Sequence, residues 1–512
     1  MKQLLWQFLF FGVSLDAGKI LVYSPSYSYS HLISNGRIAD TLVNAGHDVV
    51  MFIPEYLAST SKFDGTKHAK VVRMNNISSR YEDDATAAAP VLMTQNRLSF
   101  AARLNFEKVL NDMCAAIMAR REELEDLKNY GFDAAFAEQI DFCGIGVIRY
   151  IGIKNLLWIS TTPIMDAVSY NLGIPAPPSY VPTIEENDNN DIMTFWQRAF
   201  NIYMYIGAIF IHRWSTNMMT ETFRNVDPNF PNIREIAANA SLCFVNIDEM
   251  FDLPRPIIQK NVYIGGLGVQ KPKPLDQKFS TLMEKGEKGV IIVSLGTIAP
   301  FHAFKQVTKV AFANVFKSML DYHFILKIEK DDTTTPSLFN DVPNCDFVEW
   351  LPQSDILDHR LLRARFYFSR NGEKTGTYSN HWSTVGKVTF CTTSTKNTIG
   401  SFSIITLTLW KLSARKSEKT SVSTNTRADT YKTNAVRLSK LMSEKPFSSE
   451  ERLIKWTEFA VRHGVLDVLH VEGSRMNSII YFNLDVFAAL AFVLCTTLFV
   501  ICKVFNAISS RK

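Results

Sequence analysis

The sequence predicts an α/β protein with two parallel-sheet lobes followed by a membrane-spanning helix. Three observations carry that prediction. Short apolar runs at 20–23 and 49–53 flank a helical period at 31–45, and this strand–helix–strand order is that of a parallel sheet. A Lys-Pro-Lys-Pro run at 271–274 reads as a linker, and beyond it the run at 289–297 opens a second series of buried strands. Near the far end, 486–502 is apolar apart from Thr496 and Thr497, a length near the lower limit of roughly 17–25 residues for a spanning helix.

At 512 residues the chain exceeds one small core, and at roughly 100–200 residues per domain it divides into two to four units. With 46% hydrophobic and 21% charged residues it is not a disordered chain. The net charge of +5 is small for this length, and no basic stripe interleaves with aromatics, which argues against nucleic acid as a partner.

The elements follow in order. Lys2, the apolar run from Leu4 to Leu15 and small Ala17 and Gly18 read as a secretory signal peptide, 1–17. After the strand at 20–23, a Ser/Tyr/Pro loop spans 24–30. The helix at 31–45 places Ile38 and Leu42 on one face and stops at Gly46. A long amphipathic helix is expected over 98–128, lined by Leu110, Cys114, Ile117, Leu124 and Leu127, with Gly131 ending it. The stretches 132–137 and 155–159 read as buried strands, and the Pro-rich 173–182 as a loop. The aromatic stretch 193–214 carries Arg198, His212 and Arg213, so it reads as a helix touching another domain or the membrane surface rather than as a second span. Further strands fall at 323–328 and 345–348. The region 361–430 turns rich in Ser, Thr and Lys, and its centre shows neither period. Order resumes with a capping pattern, Ser448 and Glu451, opening a helix that Gly464 closes.

The seven cysteines are scattered singly, without the spacing of a disulfide-rich or zinc framework. Sequons at Asn76 and Asn239 suit a glycosylated lumenal chain. Lys503, Arg511 and Lys512 follow the apolar run, and positive residues favour the cytoplasmic side, which puts the large N-terminal part in the lumen.

The sharpest motif is Trp350-Leu351-Pro352-Gln353 after a strand. Around it stand Ser30-His31, Gly46-His47-Asp48-Val49, Ser179-Tyr180-Val181-Pro182, Tyr263-Ile264-Gly265-Gly266 and Ser294-Leu295-Gly296-Thr297, with the helix from Leu453 to Arg462 and the apolar anchor after it. In this order and spacing the chain resembles the animal, nematode-like UDP-glucuronosyltransferase family of UDP-glycosyltransferases. The resemblance implies two Rossmann-like lobes of GT-B type with a C-terminal transmembrane helix. The division is a signal peptide at 1–17, an acceptor lobe at 18–272, a UDP-sugar lobe at 273–447, a helical return segment at 448–482, a span at 486–502 and a cytosolic tail at 503–512. It further implies inverting transfer of glucuronic acid or glucose to a hydroxyl of a small lipophilic acceptor. The UDP-sugar is co-substrate with no bound cofactor, the setting is the endoplasmic reticulum, and the chain associates with itself or with relatives.

Such transfer needs a general base, and a neutral histidine has a suitable pKa. The resemblance assigns that role to His31. A helix N-terminus also disfavours a positive imidazole there, although a capping or packing histidine fits the same position. An orienting carboxylate follows the strand at 132–137. Glu138 matches by position, and Asp141 is also placed to serve, while either residue also suits the first turn of the next helix. His47 reads as a turn residue.

For the donor, the resemblance implies that Trp350 stacks on uracil and Gln353 pairs with its edge, with Ser294, Gly296 and Thr297 at the phosphates. A tryptophan after a strand is otherwise common in cores. The signature then departs from the family. Arg370-Asn371-Gly372 stands where a His-Gly-Gly turn is expected, Thr375 replaces a Ser, Tyr378 replaces a Glu, and no Asp-Gln pair follows. Arg370 retains the chemistry to pair with a pyrophosphate. Two readings of 361–430 stand side by side. One is out-of-frame coding, since family-like sequence resumes near Tyr431. The other is a catalytically impaired member acting as a binding or partner protein. No metal is expected, because the surviving donor segment has no acidic pair to hold one.

Overall fold

This computed structural model describes residues 17–94, 99–183, 189–250, 252–268, 272–294, 301–330, 332–352, 355–356, 362–367, 388–390, 437–438 and 440–509. Residues 1–16 of the expected signal peptide, the donor-lobe positions Gly296, Thr297, Gln353 and Arg370, and nearly all of 368–436 lie outside them.

The first lobe runs β1 (Lys19–Tyr23), α1 (Tyr29–Asn44), β2 (Asp48–Pro54), β3 (Lys70–Met74), α2 (Arg80–Thr94), α3 (Phe100–Ala119), α4 (Glu125–Asn129), β4 (Ala134–Glu138), α5 (Phe142–Tyr150), β5 (Leu156–Ser160), α6 (Asp166–Leu172), α7 (Phe195–Arg224), α8 (Ile233–Ala238), β6 (Leu242–Val245) and β7 (Asn261–Tyr263). Its strands form a seven-stranded sheet in the order β3-β2-β1-β4-β5-β6-β7, with every pairing parallel. Helices cover both faces, so strands such as β4 and β5 are buried throughout and read as continuous apolar runs. Strand order reverses between β1 and β4. The crevice beyond the carboxyl ends of strands at such a point is where open α/β sheets bind ligands.

The second lobe runs α9 (Gln277–Met283), β8 (Gly289–Ser294), α10 (Gln306–Ser318), β9 (Tyr322–Lys327), α11 (Thr334–Leu338), β10 (Cys345–Val348), β11 (Leu362–Tyr367) and β12 (Val388–Phe390). The parallel order is β10-β9-β8-β11-β12, which reverses between β8 and β11. Two apolar clusters pack on its opposite faces, one around Phe312, Phe316 and Phe324 and one around Phe279, Met283 and Ile356.

The chain then crosses back. α12 (Ser449–His463) is capped by the Ser448 hydroxyl and buries Leu453 and Ala460 in the first lobe's core beside Ile20 and Val22. Asn155 donates to the Ala460 carbonyl at 2.8 Å, and Ser449 donates to that of Gly265 at 2.6 Å. Lys445 meets Asp248 at 2.8 Å, and Arg452 meets Glu249 at 2.8 Å. α13 (Leu484–Ser509) follows, long and apolar enough to cross a membrane over Leu484–Asn506 and wholly exposed.

Four sequence expectations are corrected. The helix expected over 98–128 breaks at Arg120, whose backbone leaves the α region. The Arg120 guanidinium is taken up by Glu123 at 2.6 and 2.7 Å and by the Asn75 carbonyl at 2.6 Å, and a 3₁₀ turn precedes α4. α1 starts two residues before His31, because Ser28 is its cap. The stretch 361–430, expected to be irregular, contributes β11 and β12. Cys114 on α3 and Cys143 on α5 form a disulfide, which a 29-residue separation with no motif did not reveal.

Candidate active site

The carboxyl ends of β1 and β4 bring the site together. After β1 the chain turns through the loop at 24–28, and the Ser28 hydroxyl accepts the His31 N–H at 3.3 Å. His31 therefore sits in the first turn of α1, with its imidazole side chain 15% exposed. β4 ends on Glu138, which is fully buried. Nδ1 of His31 lies 3.4 Å from Oε1 of Glu138, within ion-pair reach but without hydrogen-bond alignment.

Three donors hold the Glu138 carboxyl. The Ile140 N–H donates to Oε2 at 3.0 Å, and the hydroxyls of Tyr27 and Thr161 donate to Oε2 and Oε1. Burial raises its pKa to about 8, opposed by the Thr161 and Ile140 bonds and reinforced by the nearby Asp141. Burial lowers the His31 imidazole to about 4. At neutral pH His31 is thus unprotonated and free to accept a proton, while Glu138 is mostly the neutral acid.

Asp141 is placed differently from Glu138. It caps α5, accepting the Cys143 N–H at 2.9 Å, and it accepts the hydroxyls of Tyr56 at 2.7 Å and Tyr23 at 3.3 Å. Burial raises it to about 6 despite those bonds, and it raises both tyrosines well above the ordinary range after burial itself. These bonds tie the start of α5, just beyond β4, to Tyr23 and Tyr56. The disulfide fixes α3 to α5 two residues beyond Asp141. His47, expected in a turn, is buried and its Nδ1 accepts the Gly18 N–H at 3.1 Å.

The sequence reading missed the aromatic surround. Tyr27 packs edge-on to His31 with ring centroids 4.7 Å apart, and Tyr56, Tyr81 and Phe106 continue the wall. The tyrosines of 24–30 were visible, but nothing in a loop's composition says which rings turn inward.

In the second lobe, Ser294 ends β8 at the strand-order reversal. Its buried hydroxyl has no partner among the described residues. Trp350 follows β10 and is 63% exposed, so it is not the core residue that its pattern also allowed. Gly296, Thr297, Gln353 and Arg370 lie outside the described residues. Although no acidic pair was expected here, His302, Glu329 and Asp332 come within 4.8 Å of one another. Local structure already employs both acids: Glu329 accepts the Phe301 N–H at 3.0 Å, and Asp332 accepts those of Thr334 and Thr335 at 3.1 and 2.9 Å.

Two doubly wound parallel sheets, one with a histidine–glutamate pair at its switch point and the other with an exposed tryptophan after a strand, give the chain the two-lobed α/β architecture of GT-B glycosyltransferases. The family model for "UDP-glucoronosyl and UDP-glucosyl transferase" matches residues 18–511, and the chain belongs to that family. It is 33% identical over 530 residues to the Caenorhabditis elegans UDP-glucuronosyltransferase-type protein ugt-50, covering 97% of this chain and 95% of that one. It is 25% identical over 500 residues to rat UDP-glucuronosyltransferase 1A8, covering 95% and 91%. Among solved structures it is similar in fold to a variant of Os79 from O. sativa in complex with UDP. That match has a TM-score of 0.50 and 12% identity and covers 86% of this chain and 99% of that one.

Proposed function

We propose that the protein transfers glucuronic acid or glucose from a UDP-sugar to the hydroxyl of a small lipophilic acceptor, with inversion at the anomeric carbon. The observation that carries this reading is the neutral His31 imidazole held against buried Glu138 at the β1/β4 switch point. Nε2 of His31 takes the acceptor proton. The acceptor oxygen forms a bond to the anomeric carbon as the bond from that carbon to the β-phosphate oxygen breaks, and UDP leaves with the electron pair. Glu138, when ionised, steadies the imidazolium that results. Tyr81 and Phe106, partly accessible and backed by buried Tyr27 and Tyr56, suit an apolar, ring-bearing acceptor. Trp350 offers a face for uracil, and the Ser294 hydroxyl, without a partner among the described residues, is a donor for phosphate. α13 anchors the chain, and the basic Lys503, Arg511 and Lys512 at the C-terminal end of the apolar segment support a lumenal catalytic part, as in the endoplasmic reticulum.

A second reading is favoured by one observation: Arg370, Thr375 and Tyr378 stand where donor-gripping residues are expected, and no Asp-Gln pair follows. A chain so altered binds ligand without turning it over. Incubating the full-length protein with UDP-glucuronic acid or UDP-glucose and a panel of phenols separates the two. Acceptor-dependent UDP release supports transfer. UDP binding by calorimetry without release supports the impaired reading.

A further inference from the structure

Away from the catalytic crevice, α6, α7, α8 and the segment leading to α13 line an open pocket of about 430 Å³. Its charged lining is Arg213, Arg234, Arg475 and Glu235, three cations against one acid, with Tyr170, Asn239, Ser474 and Asn477 as neutral polar neighbours. Arg213 donates through Nε to the Tyr170 hydroxyl at 2.7 Å, with its guanidinium 5.7 Å from that ring's centroid. Arg475 donates to Asn239 Oδ1 at 3.0 Å and lies 3.5 Å from Glu472. The Arg234 guanidinium has no acidic partner among the described residues.

Two further basic groups back this wall. Lys260 is fully buried and spends its ammonium on the carbonyls of Ala238 and Ala240, at 3.1 and 2.7 Å. His470 places Nδ1 3.4 Å from Arg475 Nη2. Burial lowers Lys260 to about 8 and lowers His470 as well. In each case a neighbouring cation adds to the shift, against Asp467 on the His470 side. The positive charge here exceeds what the surrounding acids Glu235, Glu472 and Asp467 offset.

A shallow, largely apolar crevice of about 20 Å³ adjoins the cavity on the surface and shares Tyr170, Ser474 and Met476 with it. Ile174, Tyr205, Tyr481 and Phe482 extend it, and Phe482 lies two residues before α13 begins at Leu484. On α7, Tyr203, Ile206, Phe210 and Trp214 form an exposed stripe beside Arg213. One continuous surface therefore runs from guanidinium groups to apolar rings at the point where the chain leaves for the bilayer.

We propose that this cavity binds the anionic, phosphate-bearing headgroup of a membrane lipid, with the acyl end following the Tyr205–Tyr481–Phe482 crevice toward the bilayer. Arginine forks match phosphate oxygens in pairs. The apolar continuation selects a lipid over a free anion. The proposal rests on α13 crossing a membrane and is independent of which sugar the protein transfers.

The test uses the full chain in phosphatidylcholine vesicles with or without phosphatidylserine, followed by extraction and native mass spectrometry of retained lipid. Wild type retains phosphatidylserine in preference to phosphatidylcholine. The double variant Arg234→Ala, Arg475→Ala retains about tenfold less, with unchanged thermal unfolding, while Lys440→Ala, an exposed charge outside the cavity, matches wild type. Equal retention of the two lipids by wild type, or undiminished retention by the double variant, overturns the site. If inorganic phosphate binds as tightly as the lipid, the site belongs to a free anion and the lipid assignment falls. Failure of the chain to co-sediment with any vesicle overturns the membrane reading on which the proposal stands.

Discussion

Replacing Glu138 with glutamine separates its charge from its shape. The carboxyl is buried, holds a proton up to about pH 8, and accepts from Ile140, Tyr27 and Thr161. Glutamine keeps an oxygen that accepts from Tyr27 and the Ile140 N–H, turns its NH2 toward the Thr161 hydroxyl, and never ionises. In the transition state His31 carries the acceptor's proton 3.4 Å from this group, and a hydrogen bond to a charged partner is worth about 1.5–3 kcal/mol. The expected loss is therefore about 10- to 150-fold in kcat/KM above pH 8, where wild-type Glu138 is ionised. Below that value the wild type itself loses ionised Glu138, so its kcat/KM falls about tenfold per pH unit and the two proteins converge. Stability follows the opposite sign. An acid whose folded pKa is raised stabilises the fold below its unfolded value near 4.5 and loses that contribution as pH rises through about 8. Glu138→Gln removes that slope. The assay is kcat/KM from about pH 6 to about pH 9.5, with denaturant unfolding at the same points. An inflection near pH 8 that survives in the variant assigns the ionisation to another group and refutes the reasoning.

Breaking the Cys114–Cys143 disulfide by Cys114→Ala frees a loop with a sequence separation of 29. By loop-closure entropy this costs about 3–4 kcal/mol, read as a lowered unfolding midpoint under oxidising conditions that the wild type reproduces only after reduction. Trp350→Ala removes an exposed ring. It should weaken UDP binding by about 1–3 kcal/mol in calorimetry while leaving the melting temperature unchanged; unchanged affinity assigns the uracil to another surface. Gly146 on α5 has no room for a side chain, since a Cβ there would lie 2.1 Å from the Phe223 ring. Gly146→Ala should therefore cost about 1–3 kcal/mol by overpacking, measured by urea unfolding.

Much of this architecture is legible in the sequence, because buried parallel strands read as plain apolar runs. β1, β2 and β9 fall where 20–23, 49–53 and 323–328 place them. Gly46, with φ at +96°, marks the end of α1 for the same local reason that the sequence suggests. Tertiary choices were not legible. Arg120 ends α3 because it reaches Asn75, 45 residues away in sequence, and no helical period records that. Cys114 and Cys143 meet because α3 packs on α5. Position after β4 favours Glu138 but leaves Asp141 as a candidate. Only the fold turns one toward His31 and commits the other to Tyr23, Tyr56 and a helix cap. The ring wall of Tyr56, Tyr81 and Phe106 is assembled from three separate segments, so no single window of sequence contains it.

The most direct test of the account is turnover by His31→Ala beside wild type, in membranes, with each UDP-sugar and a phenolic acceptor. The account predicts acceptor-dependent UDP release in wild type and a loss of at least about a hundredfold in the variant, the scale of a missing general base, with UDP affinity unchanged. Equal turnover by the two proteins would contradict the assignment of His31, and with it the role given to Glu138.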